Sequence, residues 1–269
     1  MSLESIILNG NIIQREEYTE NSAEFYEVIR VKNRALLFLE EHIQRLNHSL
    51  KQANINKTIT IDAIQSDFAK LFAVDGIKNQ NVKISVSFQN GDLLCALYYI
   101  ESMYVIEDTY KKGVQVKTKF FERESPEIKQ RTTAMQTIRK QLQFDSVYEY
   151  LLVDREGLIL EGTKTNVFFV KGNQVITADT HRVLGGITRQ HVADLAILHF
   201  DFKESLIAKK QLEEADAIFL TGTSIGILPV CKVDDIIFNS AHNPVVVSLI
   251  KAYETWEKKY IETHQLHID

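Results

Sequence analysis

A mixed α/β fold in two domains is the architecture this sequence predicts, and three observations predict it. Its 269 residues exceed what one hydrophobic core usually organises. Short runs with strand character are interleaved with stretches of helical periodicity along the whole length. The density of strand-like runs rises beyond residue 113, so a smaller amino-terminal α/β domain (1–107), a polar linker (108–113) and a larger carboxy-terminal domain (114–269) are expected.

The elements follow in chain order. Asn9-Gly10 lies between Ile6-Ile7-Leu8 and Ile12-Ile13, which predicts a hairpin with a tight turn. Residues 24–31 read as a strand, and 35–39 as another after the turn Lys32-Asn33-Arg34. Ile43, Leu46, Leu50 and Ala53 share one face of a helix over 40–54; Ile64, Phe68, Leu71 and Phe72 do the same over 61–74. Residues 82–88 and 93–100 form a second hairpin, turned by Gln89-Asn90-Gly91-Asp92. The segment 107–113 is polar and without clear periodicity. Strands are then expected at 114–121, 148–153, 158–160, 165–170, 174–177, 217–221 and 225–230. Helices are expected at 127–143, with Met135, Ile138 and Leu142 in phase, and at 187–200, with Val192, Leu195 and His199. A last helix opens with Asn243 as N-cap and Pro244 in its first turn, burying Val247, Ile250 and Trp256.

The chain has 45% hydrophobic and 25% charged residues, which excludes disordered, collagenous and coiled-coil classes. Lys+Arg 31 against Asp+Glu 36 gives a net charge of -5, so nothing global attracts nucleic acid or an anionic membrane, and an anionic ligand must be caught locally. Cys95 and Cys231 have no zinc-like spacing and are expected as reduced, buried, small hydrophobes. No apolar run has the length of a membrane span, and Met1-Ser2-Leu3-Glu4 does not begin like a signal peptide, so the cytoplasm is the expected compartment. The sequence has no G-x-G-x-x-G, Walker A, G-x-S-x-G or H-E-x-x-H pattern, and its eight histidines are scattered, so no metal site is expected.

Two segments suit an anion. Gly185-Gly186-Ile187-Thr188-Arg189 is a glycine pair leading into a helix, where the N–H groups of Ile187 and Thr188 and the helix dipole can hold a phosphate. Thr221-Gly222-Thr223-Ser224 follows an apolar strand and can present amides and hydroxyls as a nest. By itself, either reads more plainly as a turn that glycine permits and hydroxyls cap. Glu161 lies between two strands, where a buried carboxylate needs a cation or a protonated ring nitrogen; from spacing alone a solvated turn is the plainer reading. Lys129 lies just where a helix is expected to begin and is not set apart by periodicity. Arg45 points well away from the apolar stripe of its helix, which makes a solvated position the default.

Taken in order, five segments resemble the class IV, or fold-type IV, pyridoxal-phosphate aminotransferases, the group that includes branched-chain and D-amino-acid aminotransferases and aminodeoxychorismate lyase. They are Tyr26-Glu27-Val28-Ile29-Arg30-Val31; Glu41-His42-Ile43-Gln44-Arg45-Leu46; Ile128-Lys129; Glu161-Gly162-Thr163-Lys164-Thr165-Asn166-Val167-Phe168; and Gly186-Ile187-Thr188-Arg189 followed by Gly222-Thr223-Ser224 and Pro229-Val230. The resemblance implies a two-domain fold with a barrel-like strand core in the larger domain, pyridoxal 5'-phosphate as cofactor lying between the domains, and a homodimer. It implies that Lys129 forms the internal aldimine and carries the proton, and that Glu161 pairs with the pyridinium nitrogen. The phosphate falls to Ile187, Thr188, Gly222, Thr223 and Arg45, against the solvated default for Arg45. Tyr26 and Ser224 line the substrate pocket, and the substrates are an amino acid and a 2-oxo acid.

Three departures bear on the substrate. Ser22-Ala23-Glu24 replaces the usual Gly-Asp-Gly before the tyrosine. The strand pair that carries a carboxylate-binding arginine in D-amino-acid aminotransferases has none across Ser87–Leu94. Val28 stands where the lyases tend to have threonine, whereas Leu228-Pro229-Val230-Cys231 is lyase-like, so release of pyruvate from 4-amino-4-deoxychorismate to leave 4-aminobenzoate is the alternative to transamination.

Overall fold

A computed structural model describes residues 4–20, 24–89, 91–102 and 104–265; Ser22, Ala23 and Asn90 lie outside the described residues. The fold is mixed α/β, with a six-stranded sheet and a separate ten-stranded one among the described residues. Contacts gather the chain into two compact units. The first comprises Met1–Met103, Ile128–Thr133 and Glu257–Asp269; the second comprises Tyr104–Glu127 and Ala134–Trp256.

In the first unit, β1 (Ser5–Leu8) and β2 (Asn11–Gln14) form the expected hairpin. Asn9 and Gly10 both take positive φ, as the tight turn that matches strand twist requires. β3 (Phe25–Lys32) leads to β4, which is only Ala35–Leu36. The expected strand over 35–39 stops there because Phe38 turns at φ 57 to start α1 (Leu39–Gln52), and the apolar run Leu36, Leu37, Phe38 and Leu39 is buried by that turn. α2 (Ile61–Asp75) follows, N-capped by the Thr60 hydroxyl. β5 (Gln80–Gln89) and β6 (Asp92–Ile100) complete the sheet in the order β2-β1-β6-β5-β3-β4, all antiparallel.

Strand alternation divides β3 between two faces. Phe25, Ile29 and Val31 pack with Leu46, Leu50 and Phe68 of the helices, and Glu27 shares their parity. Tyr26 and Val28 face the other way, opposite Ser85 and Lys83 of β5, with Tyr98 of β6 next to Lys83.

The polar segment expected as a linker contains a helix, α3 (Glu107–Lys112), stabilised by the i,i+4 pairs Glu107–Lys111 and Asp108–Lys112. The second unit continues with β7 (Val114–Phe120), α4 (Thr133–Asp145), β8 (Glu149–Val153), β9 (Leu158–Gly162), β10 (Asn166–Lys171), β11 (Gln174–Thr177), α5 (Ile187–His199), β12 (Asp201–Glu204), β13 (Ile207–Ala208), β14 (Ala217–Gly222), β15 (Gly226–Val233), β16 (Ile236–Ile237) and the first part of α6 (Pro244–His264), whose residues from Glu257 on belong to the first unit. The sheet runs β12-β11-β10-β14-β15-β7-β8-β9-β13, with β16 on β15. Its two outermost strands, β12 and β13, are consecutive in the chain and joined by Ser205-Leu206 alone, so the sheet must curl back on itself as a half-barrel. Val116, Leu151, Phe169, Ile218, Leu220 and Leu228 are in its core.

Three further expectations are corrected. α4 starts at Thr133, not 127, because the backbone before it is engaged elsewhere: Tyr26 N–H donates to Lys129 C=O, Arg131 N–H to Glu24 C=O, and Gln130 bridges Phe25. Lys129 therefore sits on an extended stretch along the start of β3. α6 is N-capped by Asn243 as expected, but it buries Val245, Val246, Leu249 and Tyr253, while Val247, Ile250 and Trp256 are half-buried, so its stripe is rotated. Cys95 and Cys231 are free thiols, half-buried instead of buried. Among the described residues no helix is long and apolar enough to cross a membrane.

Candidate active site

The first unit gathers Arg45, His42 and Lys129 around a carboxylate that sequence reasoning passed over. Glu27 is 0% exposed. Arg45 Nε donates to Glu27 Oε1 at 2.7 Å and a terminal Arg45 nitrogen to Oε2 at 2.5 Å, while His42 Nδ1 meets Oε2 at 2.7 Å. His42 and Arg45 are three apart on α1, so both rise from one side of the helix towards β3. Burial pushes the Glu27 carboxyl up, but Arg45, Lys129 and His42 outweigh it and hold the group well below the usual carboxylate range. Burial draws His42 below its ordinary value against the pull of Glu27, which leaves a neutral ring donating from Nδ1.

The solvated default for Arg45 is thereby corrected: its side chain is 10% exposed. A charge on the core face of β3 overrides the apolar phase of the helix, and periodicity cannot register it. Lys129 Nζ stands over the Tyr26 ring, 5.4 Å from its centroid.

The second unit brings Glu161, Arg123 and Asn166 together with the start of α5. Glu161 is the last residue but one of β9, at 4% exposure, so the solvated-turn reading is also corrected. Arg123 donates to its Oε1 at 2.9 Å; Leu184 N–H donates to Oε2 at 3.0 Å, with Asn166 Nδ2 at 3.4 Å. Asn166 also donates to Leu184 C=O at 2.9 Å, tying the Glu161 strand to the segment that leads into α5. A Cβ at Gly186 would fall against Asn166 Oδ1, so only glycine permits this approach. α5 starts directly after Gly186 with no side-chain cap, leaving its first N–H groups, those of Ile187 and Thr188, available to an anion; Thr188 is itself buried.

Thr221 of β14 lies opposite Asn166 of β10, and its hydroxyl is buried with no partner among the described residues. Gly222 ends β14, and Thr223 and Ser224 form the half-buried turn into β15. The loop after Glu161 is pinned by Glu149, fully buried, which accepts from Tyr150 N–H (2.9 Å), Thr163 Oγ1 (2.5 Å), Lys164 N–H (3.2 Å) and Thr165 Oγ1 (3.2 Å). Asn166 is the junction that sequence reasoning missed, although it stands inside the quoted motif. A short amide that follows a buried carboxylate by five positions was the available signal.

Known proteins resemble this chain in sequence and in fold. A sequence family described as "Amino-transferase class IV" matches residues 24–233. The chain is 27% identical to D-alanine aminotransferase of Bacillus licheniformis over 252 residues, 85% of this chain and 88% of that one. It is 28% identical to a Thermotoga maritima protein named "Probable branched-chain-amino-acid aminotransferase" over 239 residues, 85% and 84% of the two chains. In structure it is similar to the branched-chain aminotransferase of the thermophilic archaeon Thermoproteus uzoniensis with norvaline, at a TM-score of 0.84 and 19% identity, with 96% of this chain and 97% of that one covered. The Escherichia coli branched-chain amino acid aminotransferase superposes at a TM-score of 0.83 with 19% identity over 94% of both chains. These relatives do not favour the lyase alternative.

Proposed function

The chain belongs to the class IV aminotransferases, a pyridoxal-phosphate-dependent family, and from that premise we propose that it binds pyridoxal 5'-phosphate and moves an amino group between an amino acid and a 2-oxo acid. The observation that carries the reading is the α5 amino terminus: an uncapped helix start, a glycine that a Cβ would fill, a buried Thr188 and the unpartnered Thr221 hydroxyl fit a phosphate group. When bound, the cofactor supplies the electron-withdrawing ring that stabilises negative charge at the substrate α-carbon.

The residues of this chain do the rest. Ile187 and Thr188 amides, Gly222, Thr223 and Arg45 hold the phosphate. Glu161, buried with Arg123 and the Leu184 N–H as its donors, would pair with a ring nitrogen of the cofactor and favour its protonated form. Lys129 attaches the cofactor and carries the proton to and from the substrate α-carbon. Glu27 positions Arg45 through two hydrogen bonds. Tyr26 and Ser224 line the substrate. A homodimer in the cytoplasm belongs to the same reading, supported by family membership.

The test is the visible absorption spectrum of the purified protein, before and after a mixture of L- and D-amino acids. A bound-cofactor band that shifts on adding amino acid and returns on adding a 2-oxo acid is the expected result. Pyruvate released from 4-amino-4-deoxychorismate with no acceptor present would reverse it in favour of the lyase, and a protein that takes up no cofactor would end the proposal.

A further inference from the structure

The second unit has a cavity that the proposed reaction does not use. It measures about 490 Å³ and is lined by residues of β7, by the end of β15 with Asp234 and Asp235, and by Val147 and Lys209. Sites for small organic molecules run from roughly 300 to 1,000 Å³, so the cavity suits one of these and is several times the size of a free phosphate ion. It lies at the Val233 end of β15, whereas the Thr223–Ser224 turn of the candidate active site leads into the Gly226 end. The stretch of β15 from Gly226 to Lys232 spans roughly 20 Å.

A bulge aims Lys232 into this cavity. In the parallel pair of β15 and β7, Val230 is the partner of Val114, but Lys232, not Cys231, is the partner of Gln115. Had the register run on unbroken, Lys232 would stand opposite Val116 and share its buried face. The extra residue turns it instead to the face of Gln115, which Lys117 shares by strand alternation. Gln115, Lys117 and Lys232 are thereby neighbours on one face of two adjacent strands, and all three line the cavity.

The charges there are unevenly matched. Asp234 accepts from Thr118 N–H at 2.9 Å and from the Thr118 hydroxyl at 2.7 Å, and Lys209 lies 3.0 Å from it, so that side of the cavity is neutralised. The other two lysines have carboxylates nearby but beyond hydrogen-bonding distance: Lys117 is 4.0 Å from Asp145, and Lys232 is 3.8 Å from Asp235. This leaves ammonium donors for a ligand. The cations lining the cavity are all lysines. A carboxylate is best met by the planar fork of arginine, whereas compact ammonium groups suit the tetrahedral oxygens of a phosphate. A phosphate alone would leave most of the volume empty, and the Gln115 amide and the Asp235 carboxylate are partners for hydroxyls.

We propose that this cavity binds a polyol or sugar phosphate, with the phosphate between Lys117 and Lys232 and the hydroxyls on Gln115 and Asp235. The site is separate from the aminotransferase chemistry and does not depend on it.

The probe is sorbitol 6-phosphate, which has no aldehyde to react with lysine. It is titrated calorimetrically into the full-length protein with its cofactor bound, so that the start of α5 is already occupied. Saturable binding tighter than about 1 mM is expected. Lys117→Gln and Lys232→Gln should each weaken it about tenfold, the loss of one charge-assisted hydrogen bond, and leave the cofactor spectrum and turnover unchanged. These side chains are 47% and 36% exposed, so neither variant endangers the fold. The ester should also raise the thermal midpoint of the wild type and not that of the double variant. Absence of saturable binding, isotherms that coincide for the wild type and both variants, or inorganic phosphate or succinate binding as tightly as the ester would each overturn the proposal. A chain that takes up no cofactor would end the aminotransferase reading instead, and the lysine variants would still locate the phosphate, because neither lysine belongs to the start of α5.

Discussion

Glu27 and Glu149 are both fully buried carboxylates at the start of a strand or within it, yet they are satisfied in opposite ways. Glu27 is met by side chains that carry or can carry charge, Arg45 and His42, with Lys129 close enough to stabilise its ionised form. Glu149 is met by two backbone N–H groups and two threonine hydroxyls, all within one loop or beside it. The first arrangement organises cations, and its loss is felt as a change in charge; the second organises backbone, and its loss is felt as a change in loop shape.

The sharpest test of that contrast is Lys129→Ala. We expect turnover to fall more than about 1000-fold while the far-ultraviolet circular dichroism and part of the cofactor affinity survive; full activity in this variant would end the assignment. Next is Glu27→Ala, which leaves Arg45 and His42 facing a cavity. Breaking a buried pair in this way costs about 3–5 kcal/mol, read as a fall in stability to denaturant. Glu149→Gln keeps the shape but removes the charge its hydroxyl and amide donors answer; the expected loss is about 1–3 kcal/mol, and a loss as large as that of Glu27→Ala would erase the distinction between the two carboxylates.

Gly186→Ala should weaken cofactor retention, because the new Cβ displaces Asn166 and with it the bonds to Glu161 and Leu184. Overpacking of this kind costs about 1–3 kcal/mol, measured as cofactor lost on dialysis. The smallest effect is in acid. The carboxyls of Glu20 and Glu27 and the ring of His42 all bind protons less readily in the folded chain than the same groups do when unfolded. Stability should therefore be complete above the ordinary histidine range, decline first as His42's unfolded counterpart protonates, and decline again below the ordinary carboxylate range down to about pH 2 for Glu20. A denaturation midpoint flat from about pH 7 to about pH 4 would contradict this.

The resemblance, and no local pattern, singled out Lys129 and Glu161 in the sequence; the burial of Glu161 and the uncapped start of α5 after Gly186 became visible only in the structure. Arg45 shows the limit: its helix phase pointed to solvent, and only the presence of Glu27 across on β3 turned it inwards. Asn166 shows another, since its role as junction depends on Leu184 and Gly186 being brought beside it.

Short-range physics written in the sequence was enough for the Asn9-Gly10 hairpin with its two positive φ angles, the Asn243-capped helix, and the amphipathic helices α1 and α2. Long-range packing set the start of α4 at Thr133, because backbone groups of 129–131 found partners on β3. It also made partners of Glu20, Glu24, Glu27, His42 and Lys83 instead of leaving them as solvated surface. Charges can be buried only where opposite charges and donors arrive from distant parts of the chain, and no local window of sequence contains both ends of such a pair.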